Sequence, residues 1–284
     1  MTGPDNAIPI DGPDIVIIKP RHGWLALDLP VLWKFRDLLF AFGWRDVRLR
    51  YRQTFLGVSW VVLQPLLGAA IFAIVFGLIA KMPSQGLPYI IISYSGLLGW
   101  TLFSTCLTRA SICLVASAEL IRKVYFPRLL LPLGILPCVL LDFAVGGAVM
   151  AAFMAYYRIV PGLGLLLLPV AAIVLLGIGL GLGIIAASLA VRYRDIQYIV
   201  PLFVQLMMYA SPVGYSAAAV PAAIKPYYDL NPLVAPIEVM RWSLIGAGNV
   251  NLTGLAYSAA VAGGCMLVGL MVFRATERKF ADVI

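Results

Sequence analysis

Charge is scarce in this chain: 12% of its 284 residues are Asp, Glu, Lys or Arg, against 62% hydrophobic. A soluble globular domain carries roughly twice that charged fraction. Histidine is scarcer still. The one imidazole, His22, sits in a polar N-terminal stretch and reads as a solvated residue. Without a second imidazole or a carboxylate cluster, it gives metal catalysis no support. Cys106, Cys113, Cys138 and Cys265 all lie in apolar blocks without metal-ligand spacing. They read as small packing residues, so neither a disulfide framework nor a zinc site is supported. No Gly-x-x-x-x-Gly-Lys-Ser/Thr loop occurs, and no Gly-x-Gly-x-x-Gly opens a helix after a strand. Any work against a gradient must therefore draw on another subunit or on an ion. Residues 1–33, mixed and rich in Pro and Asp, lack the pattern of a secretory signal, so the first span is expected to act as the insertion signal.

Long apolar blocks fill the place of charge. A hydrocarbon core about 30 Å thick needs roughly 20 apolar helical residues. Six stretches qualify: Val58–Ala80, Pro88–Thr108, Leu129–Tyr157, Leu163–Val191, Ile196–Val220 and Leu252–Phe273. The chain therefore reads as an all-α integral membrane protein of six transmembrane helices, without a soluble catalytic domain. The formal charge of +8 is explained by basic residues collecting in cytoplasmic segments and at anionic headgroups. No folded basic domain or aromatic readout motif points to nucleic acid. Lys34, Arg36, Arg45, Arg48, Arg50 and Arg52 precede the first span; Arg122, Lys123, Arg128, Arg192, Arg194, Arg274, Arg278 and Lys279 follow on the same side. The opposite loops hold little beyond Lys81, Arg158, Lys225 and Arg241. By the positive-inside rule both termini are expected to be cytoplasmic.

Several segments are more than spans. Residues 34–57 are expected to form an amphipathic interface helix: Phe40, Trp44, Val47 and Tyr51 make one stripe, with Arg45, Arg48 and Arg52 about 100° round from it. These arginines suit the phosphates of lipid headgroups, because arginine pairs bidentately with phosphate. The external stretch 216–251, broken by Pro221, Pro226, Pro232 and Pro236, is too apolar for a solvated loop. Short re-entrant or interfacial helices are expected there. Gly177, Gly179, Gly181 and Gly183 form two overlapping Gly-x-x-x-Gly pairs, which mark close helix approach. Asp142 is the one acid placed deep in a span, with Arg109 as a conceivable partner. It reads first as a packing contact and second as an ion-coupling site. The connection at 117–128 is short and charged and is expected to form a small helix protruding from the membrane.

The run Trp60-Val61-Val62-Leu63-Gln64-Pro65-Leu66-Leu67 follows the basic helix ending Arg50-Tyr51-Arg52-Gln53-Thr54-Phe55-Leu56-Gly57. Then come Leu120-Ile121-Arg122-Lys123-Val124-Tyr125-Phe126-Pro127-Arg128 and Arg192-Tyr193-Arg194-Asp195. Asn231-Pro232-Leu233 precedes Glu238 and Arg241, and the tail ends Glu277-Arg278-Lys279-Phe280-Ala281-Asp282-Val283-Ile284. Each motif is weak alone, but in this order, from about residue 34 to the end, the set resembles the permease subunits of polysaccharide ABC exporters.

That resemblance implies a homodimer of two six-helix permeases with two copies of an ABC ATPase. It implies export of lipid-linked O-antigen, capsule or teichoic acid across the bacterial inner membrane. This chain would bind no cofactor, and ATP and magnesium would sit on the partner. Arg45, Arg48 and Arg52 would hold the pyrophosphate of the lipid carrier, or ordinary anionic lipid. Glu119, Leu120, Ile121, Arg122, Lys123, Val124, Tyr125, Phe126 and Pro127 would be the helix that couples to the ATPase. A path for a polar glycan needs rings on which sugars can stack. Tyr89, Tyr94, Trp100, Phe103, Tyr209 and Tyr215 are the candidates, although aromatic belts at membrane interfaces are routine. The rivals are an ABC exporter of a small molecule, an ion-coupled secondary transporter, a membrane enzyme acting on polyprenyl-linked sugars, and an assembly scaffold. The expected division is an arm at 1–33, the interface helix at 34–57, the membrane domain at 58–273 and a cytoplasmic tail at 274–284.

Overall fold

A computed structural model describes residues 35–52, 58–84, 86–124, 126–248 and 250–277. The N-terminal arm with His22, the tail from residue 278 and the single positions Gln85, Tyr125 and Asn249 lie outside the described residues. Where described, the chain is helical without strands. In order come α1 (Arg36–Arg52), α2 (Val58–Phe72), α3 (Tyr89–Ala116), α4 (Ala118–Lys123), α5 (Leu130–Gly134) and α6 (Leu136–Tyr156). Then follow α7 (Leu168–Ala190), α8 (Ile196–Tyr209), α9 (Lys225–Tyr228), α10 (Val234–Ile245) and α11 (Leu252–Glu277).

Among the described residues, five stretches are long and apolar enough to cross a membrane: Ser59–Ile79, Tyr89–Ala116, Leu130–Tyr156, Leu163–Ala190 and Leu252–Glu277. The chain is thus a multi-pass membrane protein. The second of these is the most buried inside the chain and the first the least. Accordingly α3 and α7 form the centre, α11 covers the far side of α7, and α2 and α6 flank α3. Prolines shape the ends: Pro137 sits in the first turn of α6, where its missing N–H would be unpaired anyway. Pro65 falls inside α2, removing a helical hydrogen bond there and favouring a bend. Beyond Phe72 the helix widens into a π-helical stretch, Ala73–Ile79.

The glycines of α7 sort onto two neighbours. A Cβ on Gly181 would lie 2.7 Å from the Cys265 carbonyl carbon and one on Gly177 3.2 Å from Ala262, both on α11. A Cβ on Gly179 would lie 2.9 Å from the Phe103 carbonyl oxygen and one on Gly183 2.4 Å from Ala110, both on α3. Positions two apart on a helix are about 200° apart, so one Gly-x-x-x-Gly pair admits each flanking helix.

The fifth expected span, Ile196–Val220, is not one helix. α8 stops after 14 residues at Tyr209, about 21 Å of helix against a core about 30 Å thick. A turned segment follows, then a one-turn 3-10 helix at Ala217–Ala219, α9 and α10. The last is no surface helix: every residue of α10 except Trp242 is buried, and it packs on α3, α7 and α11.

Candidate functional site

Three places carry polar chemistry. The first is the connection between α3 and α6. α4 there is a short exposed helix whose Glu119 pairs with Lys123 at 3.2 Å and Arg122 at 3.9 Å. Leu120 and Ile121 are half-buried, Val124 is exposed, and Pro127 is half-buried. Tyr125 lies outside the described residues. Phe126 is buried, with its ring edge-on to Phe42 of α1 at 5.5 Å between centroids. Arg128 donates to the main-chain carbonyl of Glu277 at the end of α11. Ile121, Arg122, Lys123, Val124, Phe126 and Arg128 line a shallow recess. The loop is thus braced on α1 and α11 while presenting cations outward.

α1 itself packs on α5 and α6, burying Phe42. Phe40 and Trp44, from the expected apolar stripe, stay exposed. Arg45 pairs with Asp46 at 3.0 Å and Arg48 lies 5.8 Å over the Trp44 ring. The side chain of Arg52 lies outside the described residues. Arg109 and Asp142 do approach, at 3.9 Å, and Arg109 also reaches the Cys138 sulfur at 3.1 Å.

The second place is the surface of α8. Gln197, Tyr198, Pro201, Gln205 and Tyr209 are all exposed and fall within about 120° of its surface. Exposed amides on an apolar helix are unfavourable against lipid, where nothing pairs with them. α2, in the least buried of the five long stretches, likewise exposes Gln64 beside Trp60 and Leu67. Of the expected aromatics, Tyr209 lies exposed on this face, whereas Tyr89 and Tyr215 are half-buried. Tyr94, Trp100 and Phe103 are enclosed in the α3 core, 1%, 4% and 0% exposed. Gln64, Gln197 and Gln205 carry amides that a reading of the spans for aromatic rings passes over, and Tyr198 is a further exposed ring outside the expected set. The available signal was two amides eight residues apart, Gln197 and Gln205, in an otherwise apolar helix.

The third place is the break after α8. A helix end leaves its last carbonyls unpaired, and burying them unpaired is costly. Here the carbonyls of residues 209–213 each have a donor. The Tyr215 hydroxyl donates to the Tyr209 carbonyl at 3.1 Å. Asn231 Nδ2 donates to the Ala210 carbonyl at 3.0 Å. The Val213 N–H donates to the Ser211 carbonyl at 2.8 Å. Arg241 Nη2 donates to the carbonyls of Pro212 and of Val213, the latter at 3.1 Å.

Arg241 is 0% exposed and Glu238 4%. Besides the break, Arg241 donates through Nε to the Ile92 carbonyl of α3 at 3.4 Å and through Nη1 to the Glu238 carboxylate. Glu238 also accepts from the Ala217 N–H at 2.9 Å and the Ser216 hydroxyl at 3.4 Å. Gly96 of α3 leaves room for the guanidinium: a Cβ there would lie 2.1 Å from the Val213 carbonyl oxygen and 2.4 Å from Arg241 Nη2. The expectation that Arg241 is an external-loop cation is therefore corrected. Its charge is buried because the broken helix supplies acceptors that only a multi-donor cation can satisfy. Nearby, burial, with the Tyr215 hydroxyl alongside at 3.3 Å, pushes the Tyr228 phenol above the ordinary tyrosine value.

A buried helix that seals the break after α8, and a loop braced on α1 and α11, describe a multi-pass membrane protein built in part on an interrupted helix. The chain belongs to the ABC-2 type transporter family, whose model matches residues 37–245. It is 28% identical over 250 residues to the O-antigen export system permease protein RfbA of Klebsiella pneumoniae, covering 87% of this chain and 95% of that protein. It is 27% identical over 255 residues to the protein of the same name from Myxococcus xanthus, covering 89% and 97%.

Proposed function

We propose that this chain is the transmembrane subunit of an ATP-driven exporter that carries a lipid-linked polysaccharide across the cytoplasmic membrane. The observation that carries the reading is the exposed amide-and-tyrosine face of α8. It supplies donors, acceptors and stacking rings on a span, which suits a hydroxyl-rich chain better than lipid or a small apolar drug. Similarity to O-antigen export permeases over nearly their full length supports it independently.

In this reading the working unit is a homodimer with two copies of a separate ABC ATPase, and both termini face the cytoplasm. α8 with the break makes the sixth crossing, and α9 and α10 are short helices re-entering from the exterior. The path runs along Gln197, Tyr198, Gln205 and Tyr209, with Gln64 of α2 and the half-buried Tyr89 and Tyr215 as further contacts. Tyr94, Trp100 and Phe103 would reach the path only if α3 moved. Glu119–Pro127 would seat on the ATPase, and its bracing on α1 and α11 would carry the push into the bundle. Arg45 and Arg48, exposed on α1, would hold the phosphates of the lipid carrier or of membrane lipids.

Affinity purification in mild detergent, with mass spectrometry of what travels with the chain, tests this directly. A stoichiometric partner bearing a Walker A loop is expected. A chain that emerges without any ATPase, in several detergents and in nanodiscs, refutes the exporter reading and brings Asp142 and ion coupling forward.

A further inference from the structure

Two kinds of contact meet at the outer end of the bundle, and they differ in chemistry. On one side the turned segment after α8 is fixed by charge and hydrogen bonds. The Arg241–Glu238 couple joins four pieces of chain: α3 at Ile92, the break at Pro212 and Val213, the turn at Ser216 and Ala217, and α10 itself. Asn231 adds a second tie, through Nδ2 to the Ser211 hydroxyl and the Ala210 carbonyl, both at 3.0 Å. Separating any of these pieces strands a buried charge or a buried carbonyl, which is strongly unfavourable.

On the other side the same segment meets α2 through aromatic and apolar surface. A Cβ on Gly214 would lie 2.8 Å from Phe76 and 2.9 Å from Phe72, and the Phe76 ring sits 5.8 Å from that of Tyr215. Among the described residues no hydrogen bond joins α2 to that segment. α2 has its own means of bending, since Pro65 interrupts its hydrogen bonding and its outer end is π-helical. Apolar contacts slide with little directional penalty, whereas the Arg241 network has one satisfied geometry.

We infer that Arg241 and Glu238 are positioning residues that make the segment 210–219 one rigid body with α3 and α10, so that the outer opening is changed by movement of α2. The inference rests on the export reading for its purpose, but not for its mechanics. The segment would be a fixed wall that keeps Tyr209 and Tyr215 in place, and the outer half of α2 would be the moving leaf. Gly214 gives that leaf a bare surface to move over.

Two cysteine pairs test it in the complete complex with its ATPase. The Phe72 Cγ lies close enough to Gly214 that Phe72→Cys with Gly214→Cys fits disulfide geometry. Gly99→Cys with Ile237→Cys ties α3 to α10, where a Cβ on Gly99 would lie 3.5 Å from Ile237. Export is read by periodate–biotin labelling of polysaccharide on intact cells. Oxidising the first pair is expected to lower it about tenfold or more, reversibly with reductant, and oxidising the second to leave it within about twofold. The opposite ranking, or unchanged export with the first pair fully oxidised, overturns the inference.

A cargo-independent measurement separates this from the export reading. In ATP-hydrolysing complexes, an impermeant maleimide should label Phe76→Cys several-fold faster than in nucleotide-free complexes, and Ala218→Cys at a constant rate. A nucleotide-dependent change at Ala218→Cys without one at Phe76→Cys makes the segment, rather than α2, the moving part and refutes the inference, whatever the cargo. Rescue adds a chemical check. Arg241→Lys keeps the charge but lacks the planar fork, so it should make Ala218→Cys labelling nucleotide-dependent. A purely structural charge would be rescued by lysine and leave that labelling constant.

Discussion

Replacing Arg241 with leucine removes donors from four acceptors at once: Glu238 and the carbonyls of Ile92, Pro212 and Val213. Glu238 would remain 4% exposed, and breaking a buried pair by removing one partner costs about 3–5 kcal/mol. Each buried carbonyl left without a donor adds about 1–3 kcal/mol. Neighbouring losses overlap, so the expected destabilisation is at least about 5 kcal/mol, comparable to the whole stability of many domains. Glu238→Gln keeps an acceptor for Arg241 and for Ala217, and should lose only about 2–3 kcal/mol. Arg241→Lys, which cannot span all four acceptors, should fall between them. The assay is thermal and SDS-induced unfolding of the chain in nanodiscs, followed by tryptophan fluorescence. A leucine variant within about 1 kcal/mol of the unaltered chain would refute the argument that Arg241 seals the break.

Three further outcomes are expected. Gly181→Ala should destabilise the chain by about 1–3 kcal/mol, because the new Cβ meets the backbone of α11, whereas Gly264→Ala, with nothing within 4 Å, should be neutral or stabilising by up to about 1 kcal/mol. Thermal unfolding of the two variants side by side checks that opposite sign. Arg122→Ala, at an exposed position, should change stability by no more than about 0.5 kcal/mol yet separate ATP hydrolysis from export; unchanged export would remove residues 119–127 from the coupling role. Gln205→Leu and Tyr209→Ala should each lower export while leaving unfolding within about 0.5 kcal/mol; full export in both would show that α8 does not face the cargo.

The relation between sequence and structure differs from element to element. The span that contains α7, expected over Leu163–Val191 and observed over Leu163–Ala190, was legible almost to the residue, because an uncharged run of that length has one reading in a bilayer. α4 and α1 were legible as helices from local charge and periodicity, although the face that α1 buries carries Phe42 rather than the expected Phe40 and Trp44. The end of α8 was not: apolar composition continues past Tyr209, and hydropathy cannot register that Pro212 and Gly214 lie where the backbone turns. The aromatics of α3 were chosen for their rings, but Tyr94, Trp100 and Phe103 belong to the most buried helix of the bundle. No local pattern distinguishes a ring facing a path from one facing α6 or α7.

By itself, then, the sequence determined the membrane class, the long spans, the paired glycine faces and the family. The first three depend on composition or spacing within one segment, which a bilayer about 30 Å thick reads directly, and the family on the order of motifs along the chain. Only the tertiary structure decided the fate of Arg241, Glu238 and Asn231. Their partners at Ile92, Ala210, Pro212 and Val213 lie 21 to 149 residues away in the chain. An arginine among prolines looks like a loop cation until the carbonyls of a broken helix are brought to it. Burial then becomes favourable, because the unpaired ends of one segment are what the charge of another can satisfy.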